Sequence, residues 1–515
     1  MSRYYVGFDC GTMGTKVAVY SEDSRLVAEA YRPHEILYPK PGWSEMDPDQ
    51  FYRVVCEGLQ ECVKKGKIDP KDVRGISCSG ICCGFVPIDE EWRPVGPFIC
   101  HLDGRAKEEV AEFTAMGEGP WAEESGNADV AACVPPMFCK WLLKHDPDVR
   151  NKTKKLLHAA HYVLGKLGGL KAKDAFTDWA HMSGWVIGFD ARKRTWSEKQ
   201  LKALGIPFEI MPQVKRPWDV VGELCPAEAK KLGLRPGIPL VAGAGDIMQS
   251  NLGSGIIDDG VCSDVAGTAS IFTFTVNDFR REVTDKKVLI NAMSTLDDQY
   301  MYWGFIPAGG LCLRWFRDEI SKEKNDEDYY KVLDQEASRT SLGADFTLFF
   351  PFLQGRGTPA WPNSSATWLG MLGSANRGTL WRSMLEGIAF EYRYFMEFLR
   401  SVDISLKRVI GTGGGSKGKF WNQIKADVLN APYVTLERPD GAVLANALLA
   451  AYAVGDIKDL RKTISEWVKV KDSFSPIAKN TAAYDKVYAA RQEVLNGPLR
   501  QIFDRLAELH HVKVD

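Results

Sequence analysis

Two short hydrophobic runs near the start of the chain are separated by a polar link. Residues 4–8 and 16–20 are rich in valine and aromatic residues, which favour β-strands. The link at residues 9–15 contains two glycines, two threonines and one aspartate. Because glycine-rich links of this kind join neighbouring strands, the pattern predicts a β-hairpin.

The same order of residues returns about half a chain later. Asp264, Gly267 and Thr268 precede a mostly apolar run at residues 270–274. A supersecondary unit that occurs twice indicates related domains. We therefore predict two domains that face one ligand, the first at residues 1–254 and the second at residues 255–515.

Strands and helices alternate along the rest of the chain. Asp47 and Pro48 are favoured at the start of a helix, and apolar residues at helical spacing continue as far as Gly66. Further segments are predicted as strands at residues 73–79, 85–88, 239–244, 407–412 and 433–437, and as helices at residues 377–401 and 420–429. From residue 465 onward the pattern is helical and charged, which predicts a tail packed on the body. This order predicts an α/β fold.

The link of the first hairpin has the composition of a phosphate-binding loop. Its residues are Gly11, Thr12, Met13, Gly14, Thr15 and Lys16. The glycines let backbone N–H groups approach an anion, and the threonines and the lysine add hydroxyl donors and a positive charge. Taken alone, these residues fit an ordinary glycine-rich hairpin equally well.

Asp9 places a negative charge beside this predicted phosphate loop. A carboxylate next to phosphate is tolerated when a divalent cation lies between them. The combination therefore favours a Mg²⁺-nucleotide over phosphate alone.

A third glycine-rich stretch, at residues 413–419, follows a predicted strand. Its spacing fits the dinucleotide fingerprint, with Glu437 near the place of the ribose-binding acid, and it fits most of a Walker A loop. However, Phe420 replaces the Walker hydroxyl, and too little chain follows to complete a Rossmann domain. A glycine loop that passes close to an adenine or a ribose is the simpler interpretation, and a nicotinamide oxidoreductase is kept as an alternative.

Asp246 directly follows a buried strand. Catalytic groups of α/β proteins commonly lie just beyond strand ends, so Asp246 is a candidate catalytic residue. The same position is also typical of a helix N-cap, and the residue alone does not decide between the two.

Two further stretches are candidates for a ligand site. Cys82 and Cys83 lie in a predicted loop at a strand end, where a small ligand would fit. Asp103 and Arg105 form either the wall of a polar site or a buried ion pair that fixes a loop, and the structural interpretation is favoured.

Composition excludes several classes of protein. The 515 residues are 45% hydrophobic with a net charge of -2, which indicates about two to four globular domains and makes nucleic acid an improbable partner. We expect no signal peptide and no membrane-spanning helix, and hence a cytoplasmic protein.

The chain has 12 cysteines but no CxxC pair. We interpret them as reduced and mostly buried. The eight histidines form no ligand cluster with the cysteines in the sequence, and His510 and His511 lie in the tail. A zinc site is therefore not expected.

Together these motifs resemble the FGGY carbohydrate kinase family, part of the actin, Hsp70 and sugar kinase superfold. The resemblance spans about residues 4–455 and rests on motifs in family order: Gly7-Phe-Asp9-Cys-Gly11-Thr12 with Lys16, Pro41-Gly42-Trp43 with Glu45, Asp47 and Pro48, Asp103-x-Arg105, Gly245-Asp246, Gly267-Thr268, Thr358-Pro359, and Gly413-Gly414-Gly415-Ser416 followed by Trp421-Asn422-Gln423 and Ala426-Asp427.

The resemblance implies two RNase H-like domains around a deep cleft, with the sugar held mainly by the first domain and ATP by the second. It implies Asp246 as the catalytic base, Asp9 and Asp246 as metal-side carboxylates, and Cys82, Cys83, Asp103 and Asp246 as sugar-binding residues. The implied nucleotide contacts are the first loop from Gly11 to Lys16, the second loop with Gly267 and Thr268, and a wall of Gly310, Gly413, Gly414, Gly415 and Ser416.

The activity implied is transfer of the ATP γ-phosphate, with Mg²⁺, to a primary hydroxyl of a small carbohydrate. The overall look is closest to the xylulokinase branch, which makes a ketopentose such as xylulose the first expectation. Cys82-Cys83, however, replaces the Met-His of xylulokinases and the Arg-Glu of glycerol kinases, and thiols are weak partners for hydroxyls.

Alternatives are therefore kept. One is a kinase of a polyol or another ketose, such as ribulose, erythritol or a glycerol-like compound. The other is a non-catalytic, nucleotide-dependent regulator of the same superfold. The expected partners are the sugar and ATP, with a homodimer left open.

Overall fold

The structure is a computed structural model that describes residues 2–117, 119–285, 287–323, 328–438 and 441–509. His510 and His511 lie outside these residues. Within the described chain, strands and helices alternate as the sequence predicts, and they build two large sheets.

The first half of the chain contributes fourteen strands and ten helices. The strands are β1 (Tyr4–Cys10), β2 (Gly14–Ser21), β3 (Leu26–Pro33), β4 (Glu45–Met46), β5 (Val73–Gly80), β6 (Gly84–Ile88), β7 (Phe98–Cys100), β8 (Lys155–Leu157), β9 (Phe176–Asp178), β10 (Phe189–Asp190), β11 (Thr195–Trp196), β12 (Gln213–Lys215), β13 (Val220–Glu223) and β14 (Pro239–Gly245). The α-helices are α1 (Pro48–Lys65), α2 (Lys107–Ala115), α3 (Trp121–Glu124), α4 (Pro135–His145), α5 (Pro147–Lys152), α6 (Ala159–Gly168), α7 (Trp179–Met182), α8 (Glu198–Leu204), α9 (Pro226–Leu232) and α10 (Asp246–Gly253).

The second half continues both series. Its strands are β15 (Val261–Ala266), β16 (Ser270–Val276), β17 (Ile290–Met293), β18 (Tyr300–Ile306), β19 (Leu348–Phe350), β20 (Thr367–Leu369), β21 (Arg408–Thr412), β22 (Tyr433–Leu436) and β23 (Val470–Phe474). Its α-helices are α11 (Glu282–Asp285), α12 (Gly309–Trp315), α13 (Tyr329–Ser338), α14 (Arg377–Arg400), α15 (Lys419–Leu429), α16 (Gly441–Ala453), α17 (Leu460–Trp467), α18 (Ala478–Asn496) and α19 (Pro498–Leu509).

The two large sheets share one topology. The first has the order β13-β14-β5-β1-β2-β3, in which β1, β2 and β3 are antiparallel and β5 and β14 run parallel to β1. The second has the order β17-β18-β16-β15-β21-β22-β23, in which β15, β16 and β18 are antiparallel and β21 and β22 run parallel to β15. Each sheet then adds an antiparallel strand, β13 or β23, beside its last parallel strand.

This duplication confirms the expectation of two related units built on the two hairpins. It also decides against a Rossmann domain at residues 413–418. The open doubly wound Rossmann sheet is mostly parallel, whereas the sheet that holds β21 begins with four antiparallel strands, β17, β18, β16 and β15. Both sheets, with the helices packed on them, have the α/β organisation that the sequence predicts.

Helix α1 forms as its sequence predicts. Asp47 is the N-cap and accepts a hydrogen bond from the Asp49 N–H, Pro48 is the first helical residue, and Gly66 follows the last turn. Phe51 and other apolar residues of the helix are buried against β2 and β3. The helix thereby covers one face of the first sheet next to the first hairpin.

Helix α16 lies in the second half of the chain but packs on the first sheet, against β1 and β5. It approaches so closely that a Cβ at Gly7 would lie 2.5 Å from the Val443 carbonyl oxygen, which explains the glycine in β1. The helix is almost entirely apolar, and its buried residues include Leu444, Leu448 and Leu449. The division of the chain at residues 254 and 255 stays a prediction.

The tail after residue 465 is only partly as expected. Its helices α18 and α19 form, but residues 470–474 form β23 at the edge of the second sheet, so the expectation of a purely helical tail is wrong there. Buried ion pairs attach α18 to the body, since Glu391 contacts Arg491 at 2.6 Å and Arg356 at 2.9 Å.

Among the residues that the structure describes, none of the helices is both long and apolar enough to cross a membrane.

Candidate active site

The first predicted phosphate loop is a tight turn between β1 and β2. The Gly11 N–H donates to the Gly14 carbonyl at 3.1 Å, and Met13 is exposed at the tip. A Cβ at Gly14 would lie 2.5 Å from the Arg32 carbonyl oxygen, so a larger residue would push the loop away from β3. Glycine is therefore required by packing at this position.

His34, which the sequence analysis did not select, contacts the first loop through Thr15. Nε2 of His34 lies 2.9 Å from the Thr15 hydroxyl, and its ring packs edge-on against Phe51. Burial lowers the pKa of His34 to about 4, although hydrogen bonding to the backbone of Gly11 and Thr12 opposes this shift. A neutral imidazole therefore holds the loop near pH 7.

The second predicted phosphate loop, between β15 and β16, contacts the start of α12. The Gly310 N–H donates to the Gly267 carbonyl at 3.1 Å, and the Leu311 N–H donates to the Thr268 carbonyl at 2.8 Å. A Cβ at Gly310 would lie 2.1 Å from the Gly267 oxygen. Arg314 donates to the Thr268 hydroxyl at 3.0 Å and brings a positive charge to the loop.

The third glycine loop lies beside the second, because β21 runs parallel to β15. Gly413 has a φ of 74°, a conformation that favours glycine. A Cβ at Gly415 would lie 2.6 Å from the Ala266 Cβ, and the Ser416 hydroxyl donates to the Gly413 carbonyl at 2.8 Å. Gly414, by contrast, faces open space, with no atom within 4 Å of a Cβ placed there.

Asp9, at the end of β1, is held by a buried chain of hydrogen bonds. The Ser79 hydroxyl donates to Asp9 Oδ1 at 2.7 Å, and the Asn446 amide donates to Ser79 at 2.9 Å and to the Phe8 carbonyl at 2.9 Å. The Gln249 amide in turn donates to Asn446 Oδ1 at 2.7 Å. These contacts connect β1, β5, α10 and α16 behind the candidate metal-side carboxylate.

Asp246 is the first residue of α10, directly after β14. Gly245 occupies the N-cap, so the interpretation of Asp246 as the N-cap itself is wrong. Its Oδ1 accepts a hydrogen bond from the Ile247 N–H at 2.7 Å. Burial raises the pKa of Asp246, while this bond, His101 and Cys82 work in the opposite direction.

The two cysteines of the predicted sugar loop differ in what they contact. Cys82 Sγ lies 3.7 Å from Asp246 Oδ1, whereas Cys83 Sγ lies 3.6 Å from the Gly184 carbonyl oxygen. Burial raises the pKa of both thiols, so both stay protonated. The structure thus brings Cys82 to the candidate base, and a Cβ at Gly245 would lie 2.2 Å from its sulfur.

Asp103 and Arg105 form a buried ion pair. Arg105 binds both carboxylate oxygens of Asp103, at 2.7 and 2.9 Å, and the Ser44 N–H donates to Oδ2 at 2.5 Å. The Arg105 guanidinium stacks over Trp43 at 3.8 Å and lies 4.9 Å from Trp141. This geometry supports the structural interpretation of the pair, and contact of Asp103 with a sugar stays a prediction.

Asp9 and Asp246 lie at the C-terminal ends of two strands of the first sheet, β1 and β14. Asp9 pairs with Ser79 of β5, and Ser79 pairs with Ala244 of β14, two residues before Asp246. Neighbouring strands lie about 4.8 Å apart, so the two backbones are separated by roughly 10 Å. Strand β5 lies between them, so the two carboxylates stand on either side of its C-terminal end, and carboxylate oxygens are ligands that fit Mg²⁺.

Three supporting residues escaped the sequence analysis. Ser79 and His34 become relevant only through strand register, which the sequence does not state. Asn446 did leave a signal, since it is the one polar side chain in the helical stretch of residues 441–451. A single amide in an apolar helix indicates a buried hydrogen-bonding role.

Comparison with known proteins identifies the family of this chain. The N-terminal domain of the FGGY family of carbohydrate kinases matches residues 4–253, and its C-terminal domain matches residues 263–454. Xylulose kinase of Bacillus subtilis is 26% identical over 487 residues, covering 94% of this chain and 95% of that protein. Gluconokinase of the same species is 24% identical over 492 residues, covering 94% of each.

Comparison with solved structures confirms the expected fold, that of two α/β domains of the actin, Hsp70 and sugar kinase superfold. Xylulose kinase from Rhodospirillum rubrum superposes with a TM-score of 0.88 at 26% identity, covering 98% of this chain and all of that chain. The matched family domains cover the first sheet, most of the second sheet, all three glycine loops and Asp246. The chain is therefore a carbohydrate kinase that belongs to the FGGY family.

Proposed function

We propose that this protein transfers the γ-phosphate of ATP to a primary hydroxyl of a small carbohydrate, with a ketopentose such as xylulose as the first candidate. The observation that carries the proposal is the position of Asp246. It directly follows β14 and is half-buried beside Cys82. The same end of the first sheet holds Asp9, near the end of β1, and the first loop.

Asp246 is proposed as the general base that accepts the proton of the sugar hydroxyl. Its Oδ1 is fixed by the Ile247 N–H and lies near the Cys82 thiol. Burial raises the pKa of this carboxyl, which strengthens it as a proton acceptor while other nearby groups limit the shift. A positioned carboxylate suffices because phosphoryl transfer depends mainly on alignment and charge neutralisation.

The nucleotide is proposed to lie against all three glycine loops. Thr12 and Lys16 of the first loop and Thr268 of the second would contact the phosphates, whereas Thr15 is buried and its hydroxyl is held by His34. The open space at Gly414 would take the nucleoside. Asp9 and Asp246 would face Mg²⁺, which neutralises phosphate charge when bound. The FGGY family uses ATP, typically with Mg²⁺.

The identity of the sugar rests on the pocket next to Asp246. Cys82 and Cys83 are protonated thiols and weak hydrogen-bonding partners, and Cys83 already faces the Gly184 carbonyl. Relatives named xylulose kinase and gluconokinase have similar identities, 26% and 24%. Ribulose, erythritol, glycerol-like compounds and gluconate therefore remain in the panel beside xylulose.

The test is ADP release from purified protein with Mg-ATP against pentuloses, hexuloses, pentitols, tetritols, glycerol and gluconate. We expect one small carbohydrate to stimulate turnover and the Asp246→Ala variant to abolish the stimulation. Stimulation by none of these compounds, with ATP still bound, would contradict the proposal and favour a nucleotide-dependent regulator. A cytoplasmic location and a homodimer stay predictions.

A further inference from the structure

Three buried histidines surround one aspartate in the first domain, next to the sugar loop but apart from the nucleotide loops. His161 lies in α6, Asp178 ends β9, and His181 lies in α7. All three side chains are fully buried. A third imidazole, His158, stands beside them, with its ring centre 4.9 Å from that of His181 and 5.6 Å from that of His161.

The ligand-type atoms of this cluster converge. Asp178 Oδ2 lies 3.1 Å from His161 Nε2 and 2.6 Å from His181 Nδ1. One potential ligand atom from each of His161, Asp178 and His181 lies within 4.8 Å of the others. Tetrahedral zinc bonds of about 2.0–2.1 Å place neighbouring ligand atoms about 3.3 Å apart. The 3.1 Å contact is close to that spacing, whereas the 2.6 Å contact would have to open by about 0.7 Å.

Hydrogen bonding within the protein does not fully satisfy these imidazoles. Nε2 of His181 is buried without a hydrogen-bond partner, whereas the His161 ring interacts with Asp178 and with the backbone of Ala242. Leaving a buried polar atom unsatisfied costs about 1–3 kcal/mol each.

The carboxylate is oriented as a ligand would be. Asp178 Oδ1 accepts hydrogen bonds from the N–H groups of Ala180 and His181 at 2.8 and 2.9 Å, which turns Oδ2 toward the histidines. Hydrogen bonds to the non-ligating oxygen are the usual support of a metal-binding carboxylate.

We propose that His161, Asp178 and His181 bind a divalent transition-metal ion of the zinc class, with His158 or a water as the fourth ligand. Imidazole and carboxylate together suit Zn²⁺, Co²⁺ or Ni²⁺ and disfavour Mg²⁺, which prefers oxygen ligands only. The site is therefore distinct from that of Mg-ATP. It revises the expectation of no zinc site, which considered only clusters that include cysteines.

The bound ion would connect α6 to the junction of β9 and α7 directly beneath the sugar loop. His158 interacts with the backbone of Cys82, so the cluster adjoins the floor of the pocket beside Asp246. Its role would be structural, and its removal would loosen this floor.

The experiment measures metal bound to full-length protein from which the purification tag has been removed. Elemental analysis should find one equivalent of zinc-class metal per chain, and X-ray absorption of the wild type should show imidazole and oxygen ligands. The variants His161→Gln and His181→Gln should each lose the metal, and chelation should lower the melting temperature of the wild type but not of the variants.

Two control variants separate this cluster from other histidines. His145→Gln removes the histidine of an exposed group with Glu108 and Glu109, and a double variant with His510→Ala and His511→Ala removes the paired histidines of the tail. Both should keep the full equivalent of metal. Metal lost in either control but kept in His161→Gln would overturn the proposal.

A wild-type protein that contains no metal, and takes up none after dialysis against Zn²⁺, would also overturn it. That result would leave the cluster as a network of neutral imidazoles around Asp178. Because the absorption and uptake measurements use the wild type, they decide the question even if a variant fails to fold.

Discussion

At the scale of single residues, the loops of the candidate active site are fixed by residues that contact the loops and not the ligands. His34 is an example, since it contacts the Thr15 hydroxyl and packs on Phe51 without facing the cleft as a ligand group. Gly310 is another, since it has no side chain and its N–H donates to the Gly267 carbonyl of the second loop. Variants at these two positions test whether a residue fixes a loop or contacts the substrate.

His34 should make the protein less stable as the pH falls. Its pKa is about 4 in the folded state, against about 6.5 in the unfolded chain, so the unfolded state takes up the proton first. The free energy of unfolding should therefore fall by on the order of 1–3 kcal/mol between pH 6.5 and pH 4 from this residue. Urea unfolding of His34→Gln should show a smaller loss over that interval than the wild type.

The matched control for this prediction is His145→Gln, because His145 is exposed and lies far from the loop in sequence. It should keep the wild-type pH dependence. An equal loss of stability in His34→Gln and the wild type would contradict the assigned role.

Gly310→Ala should weaken ATP binding. The new Cβ would lie 2.1 Å from the Gly267 carbonyl oxygen, so the second phosphate loop must move. We expect the KM for ATP to rise about tenfold, which corresponds to about 1.4 kcal/mol. Steady-state kinetics with a saturating sugar would measure it.

Gly373→Ala serves as its control, because a Cβ at Gly373 has no atom within 4 Å and the residue lies outside the site. It should leave the KM unchanged. A normal KM in Gly310→Ala would show that the second loop does not bind the nucleotide.

At the scale of elements, α16 is the helix that joins the two halves of the molecule. It comes from the second half, packs on β1 and β5 of the first sheet, and contacts α10, whose first residue is Asp246. Through Asn446 it also reaches Ser79 and thus Asp9. This one helix therefore supports both candidate carboxylates.

Asn446→Leu should lower both stability and activity. The change removes the buried hydrogen bonds that join Asn446 to Ser79, Gln249 and the Phe8 carbonyl, which costs about 1–3 kcal/mol for each group left unsatisfied. Because Ser79 orients Asp9, we also expect kcat to fall about tenfold. Thermal unfolding and steady-state kinetics would measure the two effects.

Thr295→Val changes the far end of the same network, where the Thr295 hydroxyl donates to Gln249 at 3.2 Å. It should lower stability while leaving kcat unchanged. If Asn446→Leu behaves in the same way, Asn446 has a structural role only.

Local patterns predicted many elements but not how the elements meet. The hairpins, α1 and the strand before Asp246 follow from turn residues, caps and apolar runs, which act over a few positions. β23 was missed because Val470-Lys-Asp-Ser-Phe474 is a half-exposed edge strand with few hydrophobic residues. The cluster of His161, Asp178 and His181 was missed because the fold, and not local spacing, brings its three elements together.

At the scale of the whole molecule, two sheets with the same core topology carry different groups. The first sheet carries Asp9, the first predicted phosphate loop and Asp246, while the second carries the second and third glycine loops. Under the proposed function, this duplicated fold would provide phosphate contacts from both sides, and only the first half would add the base. Closure of the two domains over the ligands would exclude water and limit ATP hydrolysis.

Asp246 of the first domain is proposed as the base that takes the proton of the sugar hydroxyl while ATP is held mainly by the second domain. Single-turnover phosphoryl transfer by Asp246→Asn, with the ATP dissociation constant measured in parallel, tests this role directly. We expect a rate lower by about 10²–10⁴, as for loss of a general base, with ATP affinity nearly unchanged. A variant that transfers phosphate within a few fold of the wild-type rate would contradict it.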